Sequence, residues 1–117
     1  VVYTGTHDNN TVLGWFRDEA SAQEIDNLQR YINKKVSAES VAWDLIRLAF
    51  GSDSEIALVP MQDILGLGGE ARMNKPATVQ GNWRWRLTPE ALTEALGRQL
   101  RDVTIAAKRG LEEEVRI

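Results

Sequence analysis

The sequence predicts an α/β fold built on one pair of parallel strands, and three features predict it. "VVYTGT" at 1–6 is rich in β-branched and aromatic residues until Gly5 and a polar run break it, the pattern of a strand entering a loop. "EIALVP" at 55–60 is an unbroken apolar run without alternation. That fits a strand covered on both faces, and so a parallel sheet. The stretch between them carries three segments of helical periodicity. Parallel strands require such a crossover, and its hand should be right-handed.

The elements follow in order. Val1–Thr6 is the first strand. Asp8, Asn9, Asn10 and Thr11 all suit a helix N-terminus, because their side chains accept from free backbone N–H groups. A short helix is expected from Asn10 to Glu19, with Val12, Leu13, Trp15 and Phe16 on its apolar side. Ser21 and Glu24 have the spacing of a capping box, and behind them Ile25, Leu28 and Ile32 share one helical face. Ser37 is expected to cap a third helix with Val41, Leu45, Leu48 and Ala49 on its core side, and Gly51 to end it in a left-handed turn. Glu55–Val59 is the second strand, closed by Pro60, with Ile64 and Leu65 on a short turn. Residues 66–86 read as a long irregular stretch with four glycines, one proline and two tryptophans. Long loops inside compact domains are usually functional. Thr88 and Pro89 predict a helix start, Leu92, Leu96, Leu100, Val103 and Ala107 its core stripe, and Gly110 its end. "LEEEVRI" at 111–117 reads as a charged, frayed tail.

Composition narrows the function classes. At 117 residues the chain forms one domain at most, and 43% hydrophobic content is sufficient for an ordered core. A net charge of −3 with scattered basic residues argues against a nucleic-acid partner. There are no cysteines, which excludes disulfides, thiol nucleophiles and zinc–thiolate sites and fits a cytoplasmic origin. No apolar run approaches the ~18 residues of a membrane span, so no membrane partner is expected.

Four constellations invite chemical readings. His7 and Asp8 follow a parallel strand, at the sheet edge where α/β folds place their sites. One could orient a substrate hydroxyl while the other offers negative charge to a cationic transition state. Equally, Asp8 could cap the next helix while His7 bonds a backbone carbonyl. A metal triad of His7, Asp8 and Asp63 is a weaker reading of the same residues. "GLGGEA" at 66–71 matches a dinucleotide-binding pattern, yet Asn74, Lys75 and Pro76 leave no room for the helix that such a site needs. Its glycines fit a loop that lets backbone approach a ligand or a neighbouring strand. Trp83 and Trp85, interleaved with Arg84 and Arg86, either stack on sugar rings or pack the loop onto its scaffold. Trp15 and Trp43 sit in helical stripes and read as core.

Taken together, "YTGTHDNNT", "PMQDILGLG", "ARMNKPAT" and "GNWRWR" resemble, in order and spacing, the C-terminal end of the amylomaltases, the disproportionating 4-α-glucanotransferases. The resemblance runs over nearly the whole chain. It implies that residues 1–117 are a C-terminal part of a (β/α)8 TIM barrel: its last two strands, the intervening helices and a C-terminal helix. A complete barrel needs ~250 residues. It also implies retaining glucanosyl transfer on an α-1,4-glucan substrate, with no cofactor and no metal. Retention uses two carboxyl groups about 5 Å apart, one nucleophilic and one protonated. The family's third, transition-state-stabilising carboxylate falls on Asp8. His7 takes the position that hydrogen-bonds the sugar at the cleaved end, and Asn82 lies near that sugar.

The nucleophile and acid/base of the family have no counterpart in these residues. Asp63 and Glu70 are local carboxylates, but neither aligns with that pair. The expectation is therefore a segment inactive by itself, located in the cytoplasm (or in a plastid, if from a plant), with open strand edges that could self-associate. The competing expectation is a non-catalytic glucan- or protein-binding module with Trp83 and Trp85 as its platform.

Overall fold

The computed structural model describes residues 1–110; the expected tail at 111–117 lies outside them. Two parallel strands, β1 (Val2–Tyr3) and β2 (Ala57–Leu58), pair with Val2 opposite Ala57 and Tyr3 opposite Leu58. The Val2 N–H donates to the Ile56 carbonyl at 2.9 Å and the Thr4 N–H to the Leu58 carbonyl at 3.3 Å. Three helical segments connect the strands: α1 (Val12–Gly14) continuing as a π-helical turn (Trp15–Glu19), α2 (Ala22–Ile32) and α3 (Val41–Phe50). After β2 come α4 (Met61–Ile64), two 3-10 turns (Gly69–Ala71 and Pro89–Ala91) and α5 (Glu94–Ala106). The strand–helices–strand order is as predicted; the strands are shorter.

Local hydrogen bonding explains most element ends. The Thr11 side chain, rather than that of Asp8 or Asn10, caps α1 by accepting from the Gly14 N–H. The capping box at α2 forms as expected: the Ser21 hydroxyl accepts from the Glu24 N–H at 3.1 Å, and the Glu24 carboxylate from the Ser21 N–H at 2.9 Å. Regular α3 begins three residues later than a cap at Ser37 predicts, although the Val41 N–H already donates to the Ser37 carbonyl. Gly51 ends α3 at φ −80°, not in a left-handed turn, so it closes the helix without using glycine's freedom there. At the C-terminal helix, Thr88 and Pro89 start only a 3-10 turn. The Thr93 hydroxyl, accepting from the Leu96 N–H, caps α5 itself. α5 stops at Ala106, with Lys108 at φ 60° in the left-handed region, before Gly110 is reached.

Two apolar clusters hold the unit together, and α3 contributes to both. Val12, Leu13, Val41 and Ala42 form one, packed by Phe16, Leu28 and Leu45. Ile46, Phe50, Ile64 and Val103 form the other, packed by Trp43, Leu96, Leu100 and Ala107. The buried stripe of α3 is thus Val41, Ala42, Ile46, Ala49 and Phe50, while Leu48 faces out and Leu45 is half-buried. The predicted stripe was rotated because α3 packs on α1 and on α4 at once. Leu92 is exposed because it precedes α5.

One prediction fails for a topological reason. The strands were expected to be covered on both faces, yet Val1, Tyr3, Ile56 and Leu58 are all at least half exposed. Among the described residues, helices pack on the other face alone, where Ala57 and Val59 meet the cluster around Ile46, and the sheet has two strands. An apolar run without alternation therefore marks a strand with two apolar faces, of which this structure covers one.

Candidate functional site

The loop leaving β1 is shaped by its own polar residues. The Asn9 N–H donates to the Thr6 carbonyl at 3.1 Å, and the Asn9 side-chain oxygen accepts from the Thr6 N–H at 2.7 Å. This closes a four-residue turn with His7 and Asp8 at its two central positions. Both side chains project at the surface, 58% and 51% exposed, with His7 Nε2 3.3 Å from Asp8 Oδ2. Neither capping reading survives, since Thr11 caps the helix and His7 faces Asp8.

A second loop closes over this turn. The Asn74 side-chain amide donates to Asp8 Oδ1 at 2.7 Å, and the Asn74 backbone N–H donates to the His7 carbonyl at 3.1 Å. Arg72 donates to the Asp8 carbonyl and to the Asn74 carbonyl, each at 2.9 Å, and lies 3.6 Å from Glu19. Reading residue spacing missed Asn74 and Arg72 as site residues. Their segment was visible as a motif, but nothing local in it points to Asp8.

The Trp83 ring lies against His7, with centroids 5.3 Å apart and planes tilted by 30°. Trp83 adopts φ 61°, a left-handed conformation unusual for a bulky residue, and its N–H donates to the Met73 carbonyl. It is half exposed and packs on the site rather than on the scaffold, whereas Trp85 is half-buried. Trp15 and Trp43 are half-buried. Asn82 holds the loop that presents Trp83: its oxygen accepts from the Lys75 N–H at 2.8 Å and its amide donates to Thr78. His7, Asp8 and Trp83 are thus brought together directly, with Asn82 adjoining them through the backbone.

A cleft of about 210 Å³ opens beside the turn, lined by residues that include Thr6, His7, Asn10, Gln62, Asp63 and Arg72. Asp63 forms its floor and is 2% exposed. Its Oδ2 accepts from the Thr4 hydroxyl at 2.7 Å and its Oδ1 from the Val12 N–H at 2.8 Å. Burial pushes this carboxyl above its ordinary value of 3.8, opposed by the bonds from Val12 and Thr4. Both oxygens are committed to the scaffold, so Asp63 neither joins His7 and Asp8 in a metal triad nor faces a reacting group. Among the described residues, no three His, Asp or Glu side chains gather as a metal site. Glu70 closes its own loop, accepting from the Gly68 N–H at 3.1 Å. The glycine-rich stretch leads into a single 3-10 turn, not the helix a dinucleotide site requires.

The chain as a whole is similar to known proteins. A family model described as 4-alpha-glucanotransferase matches residues 1–93. The chain is 47% identical over 109 residues to a 4-alpha-glucanotransferase of Streptococcus pneumoniae, covering 93% of this chain and 21% of that one. It is 44% identical over 113 residues to one of Thermus thermophilus, covering 93% and 22%. A chloroplastic/amyloplastic 4-alpha-glucanotransferase of Arabidopsis thaliana is 47% identical over 87 residues, covering 74% and 15%. Among solved structures, an amylomaltase from Streptococcus agalactiae in complex with acarbose superposes with a TM-score of 0.86 at 32% identity, over 95% of this chain and 22% of that one. The chain therefore spans about a fifth of the length of the bacterial relatives it matches. No described helix is long and apolar enough to cross a membrane.

Proposed function

The chain belongs to the 4-alpha-glucanotransferase family, and from that membership we propose that its residues serve an enzyme that passes α-1,4-glucan segments to glucose or another glucan, with retention at the anomeric carbon. β1 and β2 are then the last two strands of a (β/α)8 barrel, and their uncovered face turns toward the barrel interior. Residues 1–117 are one C-terminal piece of that catalytic barrel. The cytoplasm is the expected compartment, or a plastid in a plant.

The observation that carries this reading is the Asp8 carboxylate, held by Asn74 at the loop following a parallel strand, within a segment 47% identical to a glucanotransferase. In a retaining transfer one carboxylate attacks the anomeric carbon as another protonates the leaving oxygen. An acceptor hydroxyl then displaces the enzyme carboxylate, losing its proton to the same acid/base group. Asp8 supplies the third negative charge, which stabilises the oxocarbenium-like transition state without forming a bond. His7, its ring plane set by Trp83, positions the sugar at the cleaved end, and Asn82 lies near that sugar. The nucleophile and acid/base are not among these residues: Asp63 is locked into the scaffold and Glu70 into its own loop. The 117 residues alone are accordingly expected to be inactive. Their uncovered apolar sheet face also favours self-association in isolation, which light scattering would read as a mass above that of the monomer.

Maltotriose tests the reading. In the whole protein that carries this segment, glucose and longer oligomers should form, and Asp8→Ala should abolish them. Products from the isolated 117 residues, absent with Asp8→Ala, would mean that a complete site exists locally. Glucan binding by the isolated residues that is lost in Trp85→Ala and kept in Asp8→Asn would instead favour a non-catalytic binding module.

A further inference from the structure

We propose that Asn74 is a positioning residue for the reaction, setting the orientation of the Asp8 carboxylate; this rests on Asp8 being the transition-state-stabilising group. A carboxylate that stabilises developing positive charge without bonding to it works only if its lone pairs are already aimed there. Asp8 sits on an exposed turn tip, where a free side chain would sample several rotamers. Asn74 removes that freedom. Its amide nitrogen meets Asp8 Oδ1 at 2.7 Å, a short bond for an N–H donor to a charged oxygen. The assignment of nitrogen and oxygen follows from the partner, because an ionised carboxylate only accepts.

Asn74 is itself fixed independently of that bond. Its N–H holds the His7 carbonyl at 3.1 Å, and its carbonyl accepts from Arg72 Nε at 2.9 Å. The Arg72 guanidinium also grips the Asp8 carbonyl, so backbone contacts alone keep the two loops together. The Asn74 side chain can therefore be changed with its backbone anchors left in place. This separates orientation of Asp8 from folding of the loop. Asp8 Oδ2, facing His7 Nε2 at 3.3 Å, is the oxygen left nearer the sugar-positioning side chain.

The experiment uses Asn74→Ala, Asn74→Asp and Asp8→Asn in the whole protein that carries this segment, with maltotriose as substrate and thermal melts in parallel. Asn74→Ala should lower kcat roughly tenfold, the loss of a hydrogen bond to a charged group, with KM nearly unchanged because the interaction serves the transition state. Asn74→Asp is nearly isosteric yet sets a second carboxylate against Asp8, so its kcat should fall further than that of Asn74→Ala. An unchanged kcat in both Asn74 variants, beside an inactive Asp8→Asn, overturns the inference and leaves the role of Asp8 intact. A lowered melting temperature with normal kcat also overturns it, since Asn74 would then be structural only. Full activity in Asp8→Asn defeats the reading of Asp8 itself and the inference with it.

Discussion

The Asp63 carboxylate accepts a 2.7 Å hydrogen bond from the Thr4 hydroxyl across 59 residues of chain. Its other oxygen takes the Val12 N–H, so one buried side chain pins both ends of the loop that presents His7 and Asp8. Asp63→Ala would orphan a buried N–H and is expected to destabilise by about 2 kcal/mol. Asp63→Asn can accept from Val12 and donate to Thr4, and should destabilise far less. Urea melts of the two variants check the order; equal losses would mean that the pinning bonds contribute little.

The same group sets a pH dependence. Because burial raises its folded value above 3.8, the native state holds that proton more tightly than the unfolded chain does. Its contribution to stability is fully present below 3.8 and is lost as pH rises through the folded value. The stability of the parent relative to Asp63→Asn should therefore decline with rising pH over that interval and stay flat beyond it. A difference that grows with pH would show that the bonds from Val12 and Thr4 outweigh burial.

Arg109 donates to four backbone carbonyls: Phe50 and Ser54 at 2.7 Å, Ser52 at 3.2 Å and Glu55 at 3.3 Å. It ties the residues just after α5 to the turn between α3 and β2. A lysine cannot reproduce that fork. Arg109→Lys should thus be nearly as destabilising as Arg109→Met, about 1–3 kcal/mol by denaturant melts. Full rescue by lysine would show that charge alone suffices.

Lys34 lies 3.0 Å from Asp44, whose side chain is 3% exposed on the packed side of α3. Among the described residues, removing the cation leaves a buried charge with only the Arg47 guanidinium, 3.8 Å away. Lys34→Met should destabilise by about 2 kcal/mol, discounted for the exposure of Lys34 itself. The double variant Lys34→Met/Asp44→Leu should recover most of that loss, as thermal melts of the pair would show. A double variant worse than the single would mean that the ion pair contributes net stability.

Trp83 combines a left-handed backbone with a ring set against His7. Trp83→Gly relieves a backbone penalty of about 1 kcal/mol or more and removes a ring that is half exposed. In the whole protein that carries this segment, stability should hold while kcat/KM for maltotriose falls about tenfold. A parallel loss of both would mark the ring as packing rather than as part of the site.

Legibility in the sequence followed the range of each interaction. The Ser21–Glu24 capping box and the strand–helices–strand order were readable because bonds spanning about four residues follow from backbone geometry and side-chain type alone. His7 and Asp8 stood out for the same reason, as a polar turn after an apolar strand. The core side of α3 was misread because periodicity gives a stripe but not the neighbours that cover it. Thr88 was misread as the cap of the last helix because Thr93 offers the same chemistry five residues later.

By itself the sequence determined the order of elements, the polar turn bearing His7 and Asp8, and the motifs shared with the glucanotransferases. Only the tertiary structure decided what those residues touch. Asn74 reaches Asp8 across 66 residues and Asp63 reaches Thr4 across 59. No local pattern encodes such contacts. They exist because β1 and β2 run parallel and α1, α3 and α4 pack against one another, bringing the loops after both strands to the same end of the sheet.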